Sequence, residues 1–293
     1  MERLQDALNR ARERRNETIG TQQTPPKDKA APVAETAPNQ AQTRDTVKPA
    51  PVDDAVLSAW RALPQLAPNE ELYRTNRLVS FFGGKQAAEI DMMRTKILQQ
   101  AKANNWHRIL VTSPTPRCGK TTVTANLAFS LARQTDLRIL VIETDMRRPE
   151  MARVLGIKEN MAFARVLSGQ EPAEYHMVAY GSNLAFATNQ VPAANSSELL
   201  QSSKAREALK KVEETYAPDI ILFDAPPVLA SDDTVGFLEY VDCSLMVVAA
   251  EVTSIEEIDV AETQIAAVTN VLGVVMNKVR YTAGGYGYDN AYY

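Results

Sequence analysis

Between residues 108 and 277 short apolar runs recur, and stretches with helical spacing separate most of them. Residues 108–113 (RILVTS), 138–143 (RILVIE), 184–187 (LAFA), 219–224 (DIILFD), 244–250 (SLMVVAA) and 271–277 (VLGVVMN) are continuously apolar rather than alternating. Strands buried on both faces read this way. After the first run, Val123, Leu127 and Leu131 stand four apart, which predicts a helix. Residues 203–216, with Ala208, Leu209, Val212 and Tyr216 inward, and residues 255–268 predict two more, and another runs from about 85 to 102 before the first strand. Strands separated by helices predict an α/β domain, a parallel sheet with helices on both faces.

Outside that pattern the chain changes character. Residues 1–17 put Met1, Leu4, Leu8 and Ala11 on one narrow helical face, which fits a partner-docking helix or a solvated tail. Residues 20–54 hold Pro25, Pro26, Pro32, Pro38, Pro49 and Pro51 among small and polar residues. Such a segment buries too little to offset its ordering entropy and predicts a disordered linker. Residues 55–66 (AVLSAWRALPQL) return to helical spacing and fit a short helix docked on the domain. The expected organisation is tail and linker over 1–69, a folded domain over 70–280 and a tail over 281–293. A chain starting near residue 70 is expected to keep its thermal midpoint.

Composition narrows the classes. Of 293 residues, 45% are hydrophobic and 23% charged, ordinary for a globular protein. A net charge of −4 gives no global field for nucleic acid or an anionic membrane. No apolar run approaches the ~20 residues of a membrane span. Residues 1–17 lack the apolar core of a signal peptide. Two cysteines, Cys118 and Cys243, imply no disulfide framework and fit the cytoplasm.

The chemistry concentrates after the first strand, where residues 112–122 read TSPTPRCGKTT. Strand, loop and helix follow in the order that cradles a nucleotide triphosphate. Unpartnered N–H groups and the positive dipole end at a helix start attract an anion. Gly119 lets backbone approach a phosphate, Lys120 reaches β- and γ-oxygens, and the Thr121 hydroxyl suits Mg²⁺. The strict pattern wants glycine where Pro114 stands. Ligands of open parallel sheets sit beyond the carboxyl ends of the strands. Two more strands end there in acids, Glu143 with Asp145, and Asp224. Residues 281–293 (YTAGGYGYDNAYY) hold Tyr281, Tyr286, Tyr288, Tyr292 and Tyr293 between glycines, which beside a phosphate loop read as phosphate acceptors.

These motifs together resemble the bacterial tyrosine kinases that govern capsule and exopolysaccharide export. The family's loop, Thr-Ser-x-x-Pro-Gly-x-Gly-Lys-Ser/Thr, is matched by residues 112–121 with Arg117 in place of the middle glycine. Its Asp-x-Asp-x-Arg-Arg-Pro is matched by residues 143–149, with Glu143 for the first Asp. Its Asp-x-Pro-Pro with a later Asp is matched by Asp224, Pro226, Pro227 and Asp232. Asn-Pro-x-Glu-Leu-Leu is matched by residues 195–200, with Ser196 for the proline. The Glu-x-x-Arg-x-x-Arg that packs subunits is reduced to Arg94 and Thr95, which weighs against a homo-oligomeric ring.

The resemblance implies a P-loop NTPase-like fold and phosphoryl transfer from ATP with Mg²⁺ to tail tyrosines. Lys120 then serves the β/γ-phosphates, and Thr121 and Asp224 the Mg²⁺. Asp145, with Glu143, serves the metal or the incoming phenol. Pro116, Arg117, Cys118, Gly119, Thr122 and Asn277 complete the nucleotide set. Arg147 and Arg148 stabilise transferred charge or contact a neighbour, or form a plain surface pair at a helix start. Implied partners are a chain-length-determinant membrane protein, a cognate phosphatase and a homo-oligomeric ring. The implied location is the cytoplasmic side of the inner membrane, reached through the membrane protein. Two rivals stay open: a nucleotide-binding scaffold impaired by Arg117 and Glu143, and a partition-type ATPase. The latter carries a Lys four residues before Gly119, where this chain has Thr115.

Overall fold

The computed structural model describes residues 54–193 and 195–280, all within the unit Val52–Tyr293. The expectations for residues 1–53 and for Tyr281, Tyr286, Tyr288, Tyr292 and Tyr293 lie outside the described residues. The elements run α1 (Asp54–Ala62), α2 (Glu70–Thr75), α3 (Val79–Phe82), α4 (Ala88–Asn104), β1 (Arg108–Thr112), α5 (Lys120–Ala132), β2 (Ile139–Glu143), α6 (Met151–Leu155) and α7 (Phe163–Leu167). They continue with β3 (Met177–Tyr180), β4 (Leu184–Ala187), α8 (Ser196–Gln201), α9 (Ser203–Tyr216), β5 (Ile220–Asp224), α10 (Asp232–Phe237), β6 (Cys243–Ala249), α11 (Ile255–Ala266) and β7 (Asn270–Asn277).

Seven strands form one sheet in the order β3-β4-β2-β5-β1-β6-β7. Every residue of β2, β5 and β6 is buried, whichever way its side chain points. Helices therefore cover both faces of the sheet's centre, as the continuous apolar runs predict. Neighbouring strands are parallel except at one edge, where β3 runs antiparallel to β4 through a turn at Gly181 (φ 65°). The expected parallel sheet thus carries one antiparallel strand at its edge. A four-residue strand, MVAY, carries too little pattern to be read, and a tight reversal permits only an antiparallel partner.

The folded body also begins earlier than residue 70. Trp60 on α1 is buried, donates its indole N–H to the Tyr216 carbonyl at 2.7 Å and meets the Tyr216 ring edge-on. Leu66 N–H donates to the Ala179 carbonyl and Ala179 N–H to the Pro64 carbonyl, at 2.7 and 2.8 Å. Residues 64–66 thus line the outer side of β3. The amphipathic face seen in residues 55–66 docks as expected, so the body reaches back at least to Asp54. Two register facts position the chemistry: Asp224 pairs with Val111 on one side and with Glu143 on the other. The carboxyl ends of β1, β2 and β5 therefore lie side by side.

Candidate nucleotide site

A cleft of about 790 Å³ opens at those strand ends. Pro116, Arg117, Gly119, Lys120, Thr121 and Thr122 line one side, with Asp145, Arg148 and Lys278 facing them. The loop between β1 and α5 is held by its own atoms. Ser113 Oγ and Cys118 Sγ both donate to the Thr115 carbonyl, at 2.8 and 3.2 Å. Cys118 is buried and fills the loop's underside; it is packing rather than an exposed thiol.

Gly119 takes φ 89°, and a Cβ there would collide with the side-chain amide of Asn277. That amide donates to the Cys118 carbonyl at 2.9 Å, so Asn277 supports the loop from behind instead of lining the cleft. Lys278 Nζ donates to the next carbonyl back, that of Arg117, at 2.6 Å. Lys278 was not among the residues picked out from sequence, although its position just beyond the last strand's end was a usable signal. Arg117 itself sits at φ 66°, which explains why glycine suits this position.

Lys120 Nζ bonds Asp145 Oδ2 at 2.9 Å, both side chains being largely buried. Burial alone would lower the Lys120 pKa, but Asp224 and Asp145 outweigh it and hold the ammonium above its usual value. Asp145 Oδ1 accepts the Arg148 N–H at 3.1 Å, so both its oxygens are engaged. Asp224 is fully buried beneath Lys120. Burial pushes its pKa up to about 6, with Asp145 adding to the rise and Lys120, Thr121 and Thr124 opposing it. Its Oδ1 accepts from the Thr124 hydroxyl at 3.4 Å, while Oδ2 has no hydrogen-bond partner. A buried carboxylate oxygen left open beside Thr121 fits an Mg²⁺ or its water. Among the described residues no cluster of three or more His, Cys, Asp or Glu side chains suits a metal. A cation here would depend on Thr121, Asp224 and phosphate oxygens.

Glu143 departs from its expected place. Its side chain turns away from the cleft, and its Oε1 accepts the Glu150 and Met151 N–H groups at 2.7 Å each. Oε2 accepts the Asn189 N–H at 2.8 Å. The carboxyl group fastens the end of β2 to the start of α6 and to the chain after β4; it does not face the cleft. Arg147 and Arg148 also part company. Arg147 bonds Asp232 at 2.7 Å and the fully buried Asp233 at 2.8 Å, and its Nε lies 3.3 Å from Ser196 Oγ. Both arginines line the cleft, and the Arg148 side chain, unlike that of Arg147, is not drawn into the Asp232–Asp233 pair.

A glycine–lysine–threonine loop between strand and helix, with an acid ending a neighbouring parallel strand, defines a P-loop NTPase. The chain belongs to the ParA family of these proteins, whose model, described as NUBPL iron-transfer P-loop NTPase, matches residues 104–290. Within that class it is similar to bacterial tyrosine kinases. It is 34% identical over 185 residues to AmsA of Erwinia amylovora, which covers 61% of this chain and 25% of AmsA. It is 31% identical over 190 residues to the tyrosine-protein kinase wzc of Salmonella typhimurium, covering 63% of this chain and 26% of that protein. The chain thus spans about a quarter of the length of these relatives. The crystal structure of the VpsO kinase domain superposes with a TM-score of 0.61 at 29% identity, covering 71% of this chain and 99% of that domain. No helix among the described residues is long and apolar enough to cross a membrane.

Proposed function

We propose that the chain is an ATP- and Mg²⁺-dependent protein-tyrosine autokinase that regulates capsule or exopolysaccharide polymerisation and export. The observation that carries this reading is the Lys120–Asp145–Asp224 cluster at the loop mouth, in a chain similar to named tyrosine kinases. A γ-phosphate entering the cleft competes with Asp145 for the Lys120 ammonium. As Lys120 moves to the β/γ-oxygens, Asp145 is released to take the proton of an incoming phenol. The tyrosine oxygen bonds the γ-phosphorus, the bond from phosphorus to the β–γ bridging oxygen breaks, and ADP leaves. Thr121 and Asp224 would hold an Mg²⁺ ion, which would supply charge neutralisation to the phosphates. Arg148, an exposed arginine on the cleft wall, would stabilise transferred charge. The acceptors are Tyr281, Tyr286, Tyr288, Tyr292 and Tyr293. A chain-length-determinant membrane protein, a phosphatase and other copies of the chain are the expected partners, at the cytoplasmic side of the inner membrane.

A second reading is favoured by one observation, the burial of Glu143 in backbone hydrogen bonds. It takes a carboxylate away from the cleft and supports a nucleotide-binding scaffold without transfer. A partition-type ATPase is disfavoured by Thr115 in the signature lysine position. Incubating the pure chain with ATP·Mg²⁺ and mapping phosphate by mass spectrometry separates the first two. Phosphate on the tail is expected. Tight ATP binding without phosphate, even with the membrane partner's cytoplasmic segment added, would favour the scaffold.

A further inference from the structure

Arg117 stands in the phosphate loop at φ 66°, a left-handed backbone in which a side chain crowds its own chain. Released, such a residue relaxes toward negative φ, and the peptides on either side turn with it. Its neighbour Cys118 is held from several sides. Cys118 Sγ donates to the Thr115 carbonyl at 3.2 Å and lies 3.6 Å from Thr253 Oγ1, and the Asn277 amide donates to the Cys118 carbonyl at 2.9 Å. Arg117 has one tie. Its side chain is exposed, and its single hydrogen bond among the described residues runs from Lys278 Nζ to its carbonyl, at 2.6 Å. Lys278, one residue past the end of β7, is itself left-handed at φ 60°. Two strained residues thus meet through one charge-assisted bond, and strain of this kind persists only where its surroundings hold it.

We propose that Lys278 is a positioning residue for the nucleotide: its ammonium holds the strained Arg117 peptide in the phosphate-binding curve, a task that glycine at 117 would make unnecessary. This role rests on the nucleotide reading of the cleft and not on tyrosine transfer. A trans peptide points its N–H opposite to its C=O. With the Cys118 carbonyl held by Asn277, the Gly119 N–H points away from that amide, at the start of α5 where an anion is attracted. Arg117 stands two residues before that N–H, so a turn of the 117–118 peptide is carried into it. Lys278 blocks the turn.

Lys278 also lines the cleft, so the rival account is direct contact between its ammonium and a phosphate. The two differ in one respect. A positioning role depends on which residue stands at 117; a direct contact does not.

The test is a double-mutant cycle on the full chain, with Lys278→Met measured in the parent and in an Arg117→Gly background. In the parent, Lys278→Met should lower ATP·Mg²⁺ affinity about tenfold by calorimetric titration, the scale of a lost charge-assisted hydrogen bond. The thermal midpoint should barely move, because the side chain is exposed. In the glycine background the same change should cost less than about twofold. An equal loss in both backgrounds overturns the proposal in favour of direct contact, and no loss in either overturns it outright. Amide NMR without nucleotide reads the same cycle independently of binding. The Cys118 and Gly119 signals should broaden on Lys278→Met in the parent and stay sharp with glycine at 117. A parent that binds no ATP·Mg²⁺ removes the nucleotide reading, and the signals then decide alone: sharp in both backgrounds, they overturn the hold of Lys278 on the loop.

Discussion

Lys120 Nζ donates to Asp145 Oδ2 at 2.9 Å, and under the proposed function this is the bond that a bound phosphate would displace. The lysine is held in place by the group that it would leave on binding phosphate. Removing the ammonium takes a charge-assisted hydrogen bond worth about 1.5–3 kcal/mol from the bound phosphates. Lys120→Met should therefore lose about 10- to 150-fold in ATP·Mg²⁺ affinity while keeping its secondary structure. Calorimetric titration measures this directly, and an unchanged affinity would reject Lys120 as the phosphate ligand.

The adjacent arginines should separate cleanly. Arg147 neutralises Asp233, a fully buried carboxylate that also accepts the Ser196 hydroxyl at 2.5 Å. Arg147→Ala leaves that acceptor short and should cost about 1–3 kcal/mol of stability. Arg148→Ala, on an exposed side chain, should stay within about 0.5 kcal/mol of the parent and lower nucleotide affinity or turnover instead. Denaturant melts paired with ATP titrations check both halves, and the reverse assignment of effects would refute the division of roles.

The sequence made legible what depends on continuous pattern. The runs RILVT, ILVIE and IILFD became β1, β2 and β5 because burial on both faces leaves no polar alternation to confuse them. The Gly119–Lys120–Thr121 loop and Asp224 came together because neighbouring parallel strands share an end. Helices α6, α7, α8 and α10, of five or six residues, span too few turns for a period to show. The direction of a side chain at a strand end was equally hidden. Glu143 stands in register with Asp224, yet its longer side chain turns to backbone N–H groups contributed by residues 150, 151 and 189. Those donors are brought there only by the completed fold.

Arg117 holds a left-handed backbone, φ 66°, that only glycine takes without cost. Its carbonyl, not its side chain, is what Lys278 grips. Arg117→Gly should relieve strain of about 1–3 kcal/mol against a backbone-entropy penalty of about 0.4–1 kcal/mol. A small net gain in thermal midpoint is expected, with the loop intact. A lower midpoint would show that the guanidinium contributes more than the strain costs.

Residues 54–66 should matter for stability, contrary to what a start at residue 70 implies. Trp60 buries its ring against Tyr216, and residues 64–66 line β3. Trp60→Ala should cost about 3–5 kcal/mol, and a chain beginning at residue 70 should melt at a clearly lower temperature than one beginning at residue 52. Equal midpoints for the two truncations would mean that α1 contributes nothing to the body.

The buried acids predict an inverted pH dependence. Glu143 starts from 4.5 and is pushed up to about 8, chiefly by burial, with the Met151, Asn189 and Glu150 N–H groups opposing and Asp224 adding to the rise. Between those values the folded chain binds a proton that the unfolded chain has released. Its contribution is complete below the unfolded pKa and is lost as pH climbs through the folded one. Asp224, raised from 3.8 to about 6, adds a loss of the same sign at lower pH. Stability should thus decline from about pH 6 to about pH 8 and level off above it, in a range where ordinary surface carboxylates contribute no slope. Glu143→Gln, which cannot ionise, should flatten that decline. It should also lie about 1–3 kcal/mol below the parent at pH 6, because its amide cannot accept from all three N–H groups. Thermal melts of both chains across that range decide the matter. Parallel slopes would show that Glu143 is ionised in the fold throughout, held by its three backbone donors.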